Sequence, residues 1–335
     1  MTGTLVGLAG CLLISTLLLR RLAQPLVRRA WPAAAVPVLA VGALLNAGTV
    51  LILGGLLTLA VLARWSMVAD MGGWSTPELM TNVPIPLAVG IPAALLAAGL
   101  TTRVIWRAGG LLVLFVRSDR LSRRLRVGGN PVVLVDDTPA DAFTVAGVRS
   151  CVVISRALFT ALDAQERRLL VGHELSHLRR RHHLYVHAVD LAAAANPILS
   201  PTRGAVRAGV ERWADEDAAA GCGRRQAAGQ ALARTALVQA RLRRAVHGPA
   251  FGLSGSVLCA TAGDVANRAQ ALMADPSPRR GWLMIGLSVL SVVTVGFGLA
   301  WTVQMHDGFE NSEVSCPHSA AATSAVSAAV GPARS

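Results

Sequence analysis

Val171-Gly172-His173-Glu174-Leu175-Ser176-His177-Leu178-Arg179-Arg180-Arg181 carries the pattern H-E-x-x-H within a stretch whose own signals are helical. Asp163 precedes it as an N-cap candidate, and Glu166 follows three residues later, the pairing of a capping box. No proline interrupts the run from Ala164 to about Ala194, so the sequence predicts one long helix with the motif near its middle. Residues four apart share a helical face, and two imidazoles at 173 and 177 can therefore converge on one Zn2+. Glu174 lies beside that face, placed to take a proton from a water that zinc acidifies towards a pKa of about 7.

A catalytic zinc site needs a third protein ligand and an open fourth position. Glu211 is the best third ligand: it sits 34 residues beyond His177, on the next predicted helix, in Glu211-Arg212-Trp213-Ala214-Asp215. Asp215 lies one turn further along the same face, where it can accept a hydrogen bond from the non-ligating nitrogen of a zinc histidine. Glu216 and Asp217 are alternatives, but neither has an acidic partner four residues on. His183 and His187 are also four apart, yet Leu184 stands where a base would be. Together with His182 they read as a solvated or membrane-proximal part of the long helix, and Arg179 to Arg181 as a solvated face against lipid headgroups. His247 falls in a predicted loop from which it could reach a substrate. Further helices are predicted over 204–220, ended by Gly221 and Gly223, over about 226–245, and over 267–273. Upstream, 131–136, 142–146 and 151–154 are short β-type runs with a turn at Gly147, which together suggest a small sheet or hairpin.

The chain around this segment is too apolar for an ordinary soluble domain. Of 335 residues, 53% are hydrophobic and 15% charged, with a mean hydropathy of +0.50. Four uncharged stretches, 1–19, 33–63, 83–102 and roughly 282–304, approach or exceed the ~20 apolar residues that a helix needs to cross a bilayer. The first lacks the basic start of a secretory signal. Leu8 to Cys11 resembles a lipoprotein-processing box, but the apolar run continues past Cys11, and the segment reads as a retained helix. A shorter run, 111–116, reads as a membrane-surface or buried segment.

Charge assigns the sides. The net charge is +13, and all 32 basic residues are arginine. Residues 103–280 hold 26 of them against 14 acidic residues, whereas the tail beyond Gln304 is acidic and Ala/Ser-rich, a composition that predicts disorder. The positive-inside rule puts 103–280 in the cytoplasm and both termini outside. Topology explains the basic surplus, and no aromatic-interleaved patch or recognition helix accompanies it, so direct nucleic-acid binding is not expected. The five cysteines show no paired spacing and read as packing residues. The expected architecture is a mainly α, polytopic membrane protein with about four transmembrane helices and a cytoplasmic α+β zincin-like domain. Its divisions are 1–116 (three spans), 117–280 (the metallopeptidase-type segment), 281–304 (the fourth span) and 305–335 (an extracytoplasmic tail).

Three early spans, a cytoplasmic H-E-x-x-H segment and one later span resemble the BlaR/MecR-type membrane metallopeptidases, integral-membrane gluzincins that sense β-lactams. The most specific parts are 171–181 and 211–215, with Asp137 to Leu158 similar to the family's strands before the motif. The resemblance implies one Zn2+ per chain and an edge strand containing Ala142 and Phe143 that lays a peptide substrate out by β-addition. It also implies, at Asn267 to Leu272, a helix whose Arg268 orients site groups. A BlaI-type repressor or the enzyme itself is the substrate it suggests. The antibiotic-sensing relatives carry a penicillin-binding domain after the last span; the residues here beyond Gln304 include no Ser-x-x-Lys, so acylation by a β-lactam is not expected. Two other readings stand beside this one: an HtpX-type quality-control protease, and a non-catalytic membrane scaffold or signal relay.

Overall fold

Two prolines, Pro84 and Pro86, hold the chain out of helix before the longest element of the fold, which then runs unbroken from Leu87 to Leu125. The computed structural model describes residues 2–126, 130–136, 141–223, 225–247, 262–274 and 281–313. Its helices are α1 (Thr2–Arg29), α2 (Pro32–Leu62), α3 (Ser66–Gly72), α4 (Thr76–Asn82), α5 (Leu87–Leu125), α6 (Arg156–Ala161), α7 (Ala164–Arg179), α8 (His182–Ala195), α9 (Ser200–Cys222), α10 (Arg225–His247), α11 (Ala262–Met273) and α12 (Gly281–Glu310). The strands are β1 (Val132–Val135), β2 (Ala142–Val145) and β3 (Cys151–Ser155).

Four helices are long and apolar enough to cross a membrane: α1, α2, α5 and α12. On α5 and α12 the large apolar side chains face outward, Leu95, Leu96, Ile105, Trp106, Ile285 and Val292 each being more than 60% exposed. A surface of that kind suits a lipid environment. The run 111–116 is not a separate surface or buried segment. It continues α5, and its residues Leu112 to Leu114 are exposed. At 1.5 Å per residue α5 is about 58 Å long, well beyond the ~30 Å hydrocarbon core.

Contacts divide the chain into two units, 1–9 with 51–99 and 296–335, and 10–50 with 100–295. In the first, the residues between the second and third apolar stretches form α3 and α4. The chain after Gln304 stays helical to Glu310, and Trp74 then pairs with Glu313 in an antiparallel bridge. Trp74 also packs its ring at a tilt against Phe309, 4.7 Å between centroids. The disorder predicted for the tail otherwise falls on 314–335, outside the described residues.

The second unit holds the motif. β3 is the central strand, every residue buried, with β1 parallel on one side and β2 antiparallel on the other. The sheet is thus larger than a hairpin, and β2 is an edge. Asp163 caps α7 as its spacing foretold. Its carboxylate accepts from the amides of Gln165 and Glu166 at 2.8 Å, while its own amide donates to Glu166 Oε2 at 2.9 Å.

The predicted long helix breaks after Arg179. Arg181 is left-handed (φ 52°), the amides of Arg180 and Arg181 close back onto Ser176 and Leu178, and α8 starts in a new direction. No signal marks this turn, because arginine has no left-handed preference.

Polar contacts bind α8 and α9 to the early helices. Asn196, just past α8, donates to Asn46 Oδ1 (2.9 Å) and Thr16 Oγ1 (3.1 Å), and Asn46 donates to Ser15 Oγ at 2.7 Å. Asp190 on α8, buried, pairs with Arg107 of α5 at 2.7 Å and Arg207 of α9 at 3.2 Å. Arg212 donates to the carbonyls of Val27 and Arg28 at 2.6 and 2.8 Å, closing the open end of α1. Gly209 lets α9 approach that closely, since a Cβ there would lie 2.7 Å from Val36.

Arg181→Gly separates a broken helix from a continuous one by sign. At a left-handed position glycine relieves about 1 kcal/mol of strain, whereas inside a helix it costs about 1 kcal/mol relative to a good helix former. A raised midpoint of thermal unfolding in detergent is expected.

Candidate metal centre

The first two turns of α7 bury its Leu169 and Glu166, and the next turn then presents His173 and His177 towards α9. Glu211 on α9 meets them. His173 Nε2 is 3.1 Å from His177 Nε2, and each lies 3.5 Å from a Glu211 carboxylate oxygen. Among the described residues this is the one group of three or more His, Cys, Asp or Glu side chains disposed to hold a metal ion. Tetrahedral zinc with bonds of 2.0–2.1 Å has ligand atoms about 3.3–3.4 Å apart, so the triangle of 3.1, 3.5 and 3.5 Å fits it. Two imidazole nitrogens and one carboxylate are also the donor set of a hydrolytic zinc site with an open fourth position.

A second layer fixes this triangle. Asp215, one turn past Glu211 and 3% exposed, places Oδ1 3.0 Å from His173 Nδ1. Arg268 of α11 grips Asp215 with both arms of its guanidinium at 2.7 Å and reaches Glu211 Oε2 at 3.0 Å. Glu174, buried between α7 and the sheet, accepts a 2.9 Å hydrogen bond from Thr144 of β2, whose hydroxyl also lies 3.0 Å from the Glu174 carbonyl.

The structure thus gathers His173, Glu174, His177, Glu211, Asp215 and Arg268 at one place. Ala142 and Phe143 lie on β2 beside Thr144, with Phe143 40% exposed. His247 ends α10 instead of lying in a loop, and its side chain is outside the described residues. Glu216 turns away to Arg225, and Asp217 to Ser176 and Arg180. Arg180 therefore has a protein partner and also stacks over Trp213, which a solvated face against headgroups did not foresee.

His182 is the residue that sequence reasoning misplaced. It is 1% exposed, packs on Trp213 at 4.9 Å and holds its Nδ1 3.0 Å from His177 Nδ1. On a continuous helix a residue five positions on would point about 140° away. The break at Arg181 brings it round.

The electrostatics call for a cation. Burial alone would lower the His173 pKa, but the Asp215 and Glu211 carboxylates outweigh it and raise it to about 10. Burial, with the charge on His173, drives His177 down to about 3, so the facing pair holds one proton and refuses a second. Burial also lowers His182 to about 4. Burial raises the Glu174 carboxyl, against the pull of His173 and Thr144. Glu211 and Asp215 stay ionised despite burial, held below the usual carboxylate range chiefly by His173 and by Arg268 respectively. Two buried carboxylates thus face one guanidinium, and the proton on the histidine pair fills the place that a metal ion would take.

A pH profile of stability follows. His173, raised, contributes stability that is complete below the unfolded value of about 6.5 and is lost as the pH climbs through its folded value. His177 and His182, lowered, refuse protons that the unfolded chain accepts, so stability falls as the pH drops below about 6.5. Glu174, with its raised carboxyl, opposes them, whereas the lowered Glu211 and Asp215 act in the same direction as the two histidines at lower pH. Chelator-stripped protein should therefore show its highest midpoint of thermal unfolding near pH 6.5, with decline on both sides. Zinc should abolish the alkaline decline, because the metal displaces the proton. A profile flat from pH 5 to 10 would contradict this electrostatic picture.

No curated protein and no solved structure matches the chain. Residues 117–275, which include every residue gathered at the site, match the model of Peptidase family M48. Over that segment the chain is similar to the M48 peptidases, a zinc-metallopeptidase family, and it has four helices long and apolar enough to span a membrane.

Proposed function

We propose that this is a membrane-embedded, zinc-dependent endopeptidase whose centre is His173, His177 and Glu211, with Glu174 as general base. The observation that carries it is the ligand triangle with 3.1–3.5 Å edges beside a buried carboxylate of raised pKa. Bound Zn2+ would supply Lewis acidity, making water at the site a nucleophile near neutral pH and polarising the scissile carbonyl.

The chain's own residues do the remaining work. Glu174 takes the proton from the attacking water and delivers it to the leaving amine, and its raised pKa suits both halves of that exchange. Thr144 fixes the Glu174 carboxylate and, being on the edge strand, links it to the place where substrate binds. The side of β2 away from β3 presents backbone donors and acceptors to an extended peptide, with Ala142 and Phe143 beside it. A peptide paired there runs past Thr144 and so past Glu174. Asp215 and Arg268 orient His173 and Glu211.

The charge distribution supports a cytoplasmic peptidase domain with both termini outside. The resemblance to BlaR/MecR-type enzymes supports a regulatory substrate, a BlaI-type repressor or the enzyme itself. An HtpX-type role would instead give a broad set of membrane proteins. Proteomics of a catalytically dead strain separates them: one or two accumulating regulators, or many membrane proteins.

Glu174→Gln should retain about one zinc per chain while losing cleavage by on the order of 10^2-fold or more, the usual worth of a general base. His177→Ala should lose the metal as well. A folded wild type that takes up no zinc would overturn the enzyme reading, and full complementation of a deletion by Glu174→Ala would favour a scaffold.

A further inference from the structure

His182 stands outside the ligand set, yet it is among the most deeply buried side chains of the fold and touches a ligand directly. We propose that His182 is a positioning residue for His177: its Nδ1 accepts the His177 Nδ1 proton and fixes the tautomer whose Nε2 lone pair faces the metal. The inference rests on the reading of His173, His177 and Glu211 as a zinc site.

A neutral imidazole carries one N–H and one lone pair, and the hydrogen bond made by one nitrogen decides what the other offers. The two Nδ1 atoms are 3.0 Å apart, so one donates and the other accepts. Were His182 the donor, the proton of His177 would sit on Nε2, which lies 3.1 Å from His173 Nε2 and 3.5 Å from Glu211. That is where the metal needs a lone pair. Only His177 donating to His182 leaves His177 competent as a ligand.

This arrangement places the remaining His182 proton on Nε2, a buried atom without a hydrogen-bond partner, on a ring held against Trp213. An orphaned buried N–H is tolerated where the opposite nitrogen has work to do. The two zinc histidines are thus oriented differently. A carboxylate, Asp215, stands behind His173, and a neutral imidazole stands behind His177. The neutral partner fixes the His177 ring without adding a third anion to the buried cluster.

Two variants test this in the detergent-purified full chain, with zinc affinity read by chelator competition and folding by thermal melts. His182→Phe keeps a ring against Trp213 but has no acceptor, and should weaken zinc binding about 10–100-fold, the usual effect of losing such a partner. His182→Asn puts Oδ1 where Nδ1 stood and should keep affinity within a few-fold of wild type. A phenylalanine variant that binds as tightly as wild type, or an asparagine variant as weak as the phenylalanine one, would overturn the proposal while leaving the zinc site intact. Should the phenylalanine variant not fold, the asparagine variant decides alone, retained affinity supporting the proposal and a 10-fold loss or more overturning it. A wild type without zinc would overturn the site reading itself, and the positioning role with it.

Discussion

The buried fork between Arg268 and Asp215 is the interaction on which the centre depends. It joins α11 to α9 with two 2.7 Å hydrogen bonds, and from the same two side chains contacts run to His173 and Glu211. Asp215 is 3% exposed, so its charge has no solvent to fall back on. Removing the guanidinium would leave an uncompensated buried carboxylate, a loss of about 3–5 kcal/mol. Replacing it by lysine would keep the charge but not the planar fork that holds Asp215 and Glu211 together. The ligand triangle is therefore set less by α7, which supplies two of its corners, than by the ion cluster behind it.

Much of this was legible because it is local. The Asp163–Glu166 capping box, the placement of both histidines on one face of α7 and the Glu211–Asp215 step on α9 all follow from helical periodicity over three or four residues. Arg268 lies 53 residues beyond Asp215, and only the resemblance to known enzymes suggested it. Thr144 gave no sign at all, since a hydroxyl in a β-type run has no distinctive chemistry until Glu174 is folded against it. The break at Arg181 was invisible for a related reason. A run of three arginines is neither a glycine stop nor a proline stop, and the turn is enforced by what α8 packs against. Missing it misplaced His182.

The same unit that contains the centre also contains most of α1, including its C-terminal end, the first part of α2 and most of α5. Three polar attachments, each costly to leave unpaired away from water, secure this union. They are the Asn196–Asn46–Thr16 cluster, the Asp190–Arg107 pair and the hold of Arg212 on the end of α1. Helices α8 and α9 thus share one unit with those parts of α1, α2 and α5. Motions of the early helices would have to travel through hydrogen bonds that end on the two elements carrying His182 and Glu211.

The charge balance gives that unit a further role. A metal site built on the surface of a loop adapts to its ion, whereas this one has two ionised carboxylates already buried against one arginine. Such a cluster is tolerable only if another positive charge enters it, either the proton held between His173 and His177 or the metal that displaces it. The fold and the metal therefore constrain one another. Glu211 and Asp215 sit one turn apart on α9, so the helix itself keeps the two carboxylates together, and a cation held by the three ligand atoms relieves them. The geometry of the site and the burial of its two carboxylates are thus two readings of one electrostatic constraint.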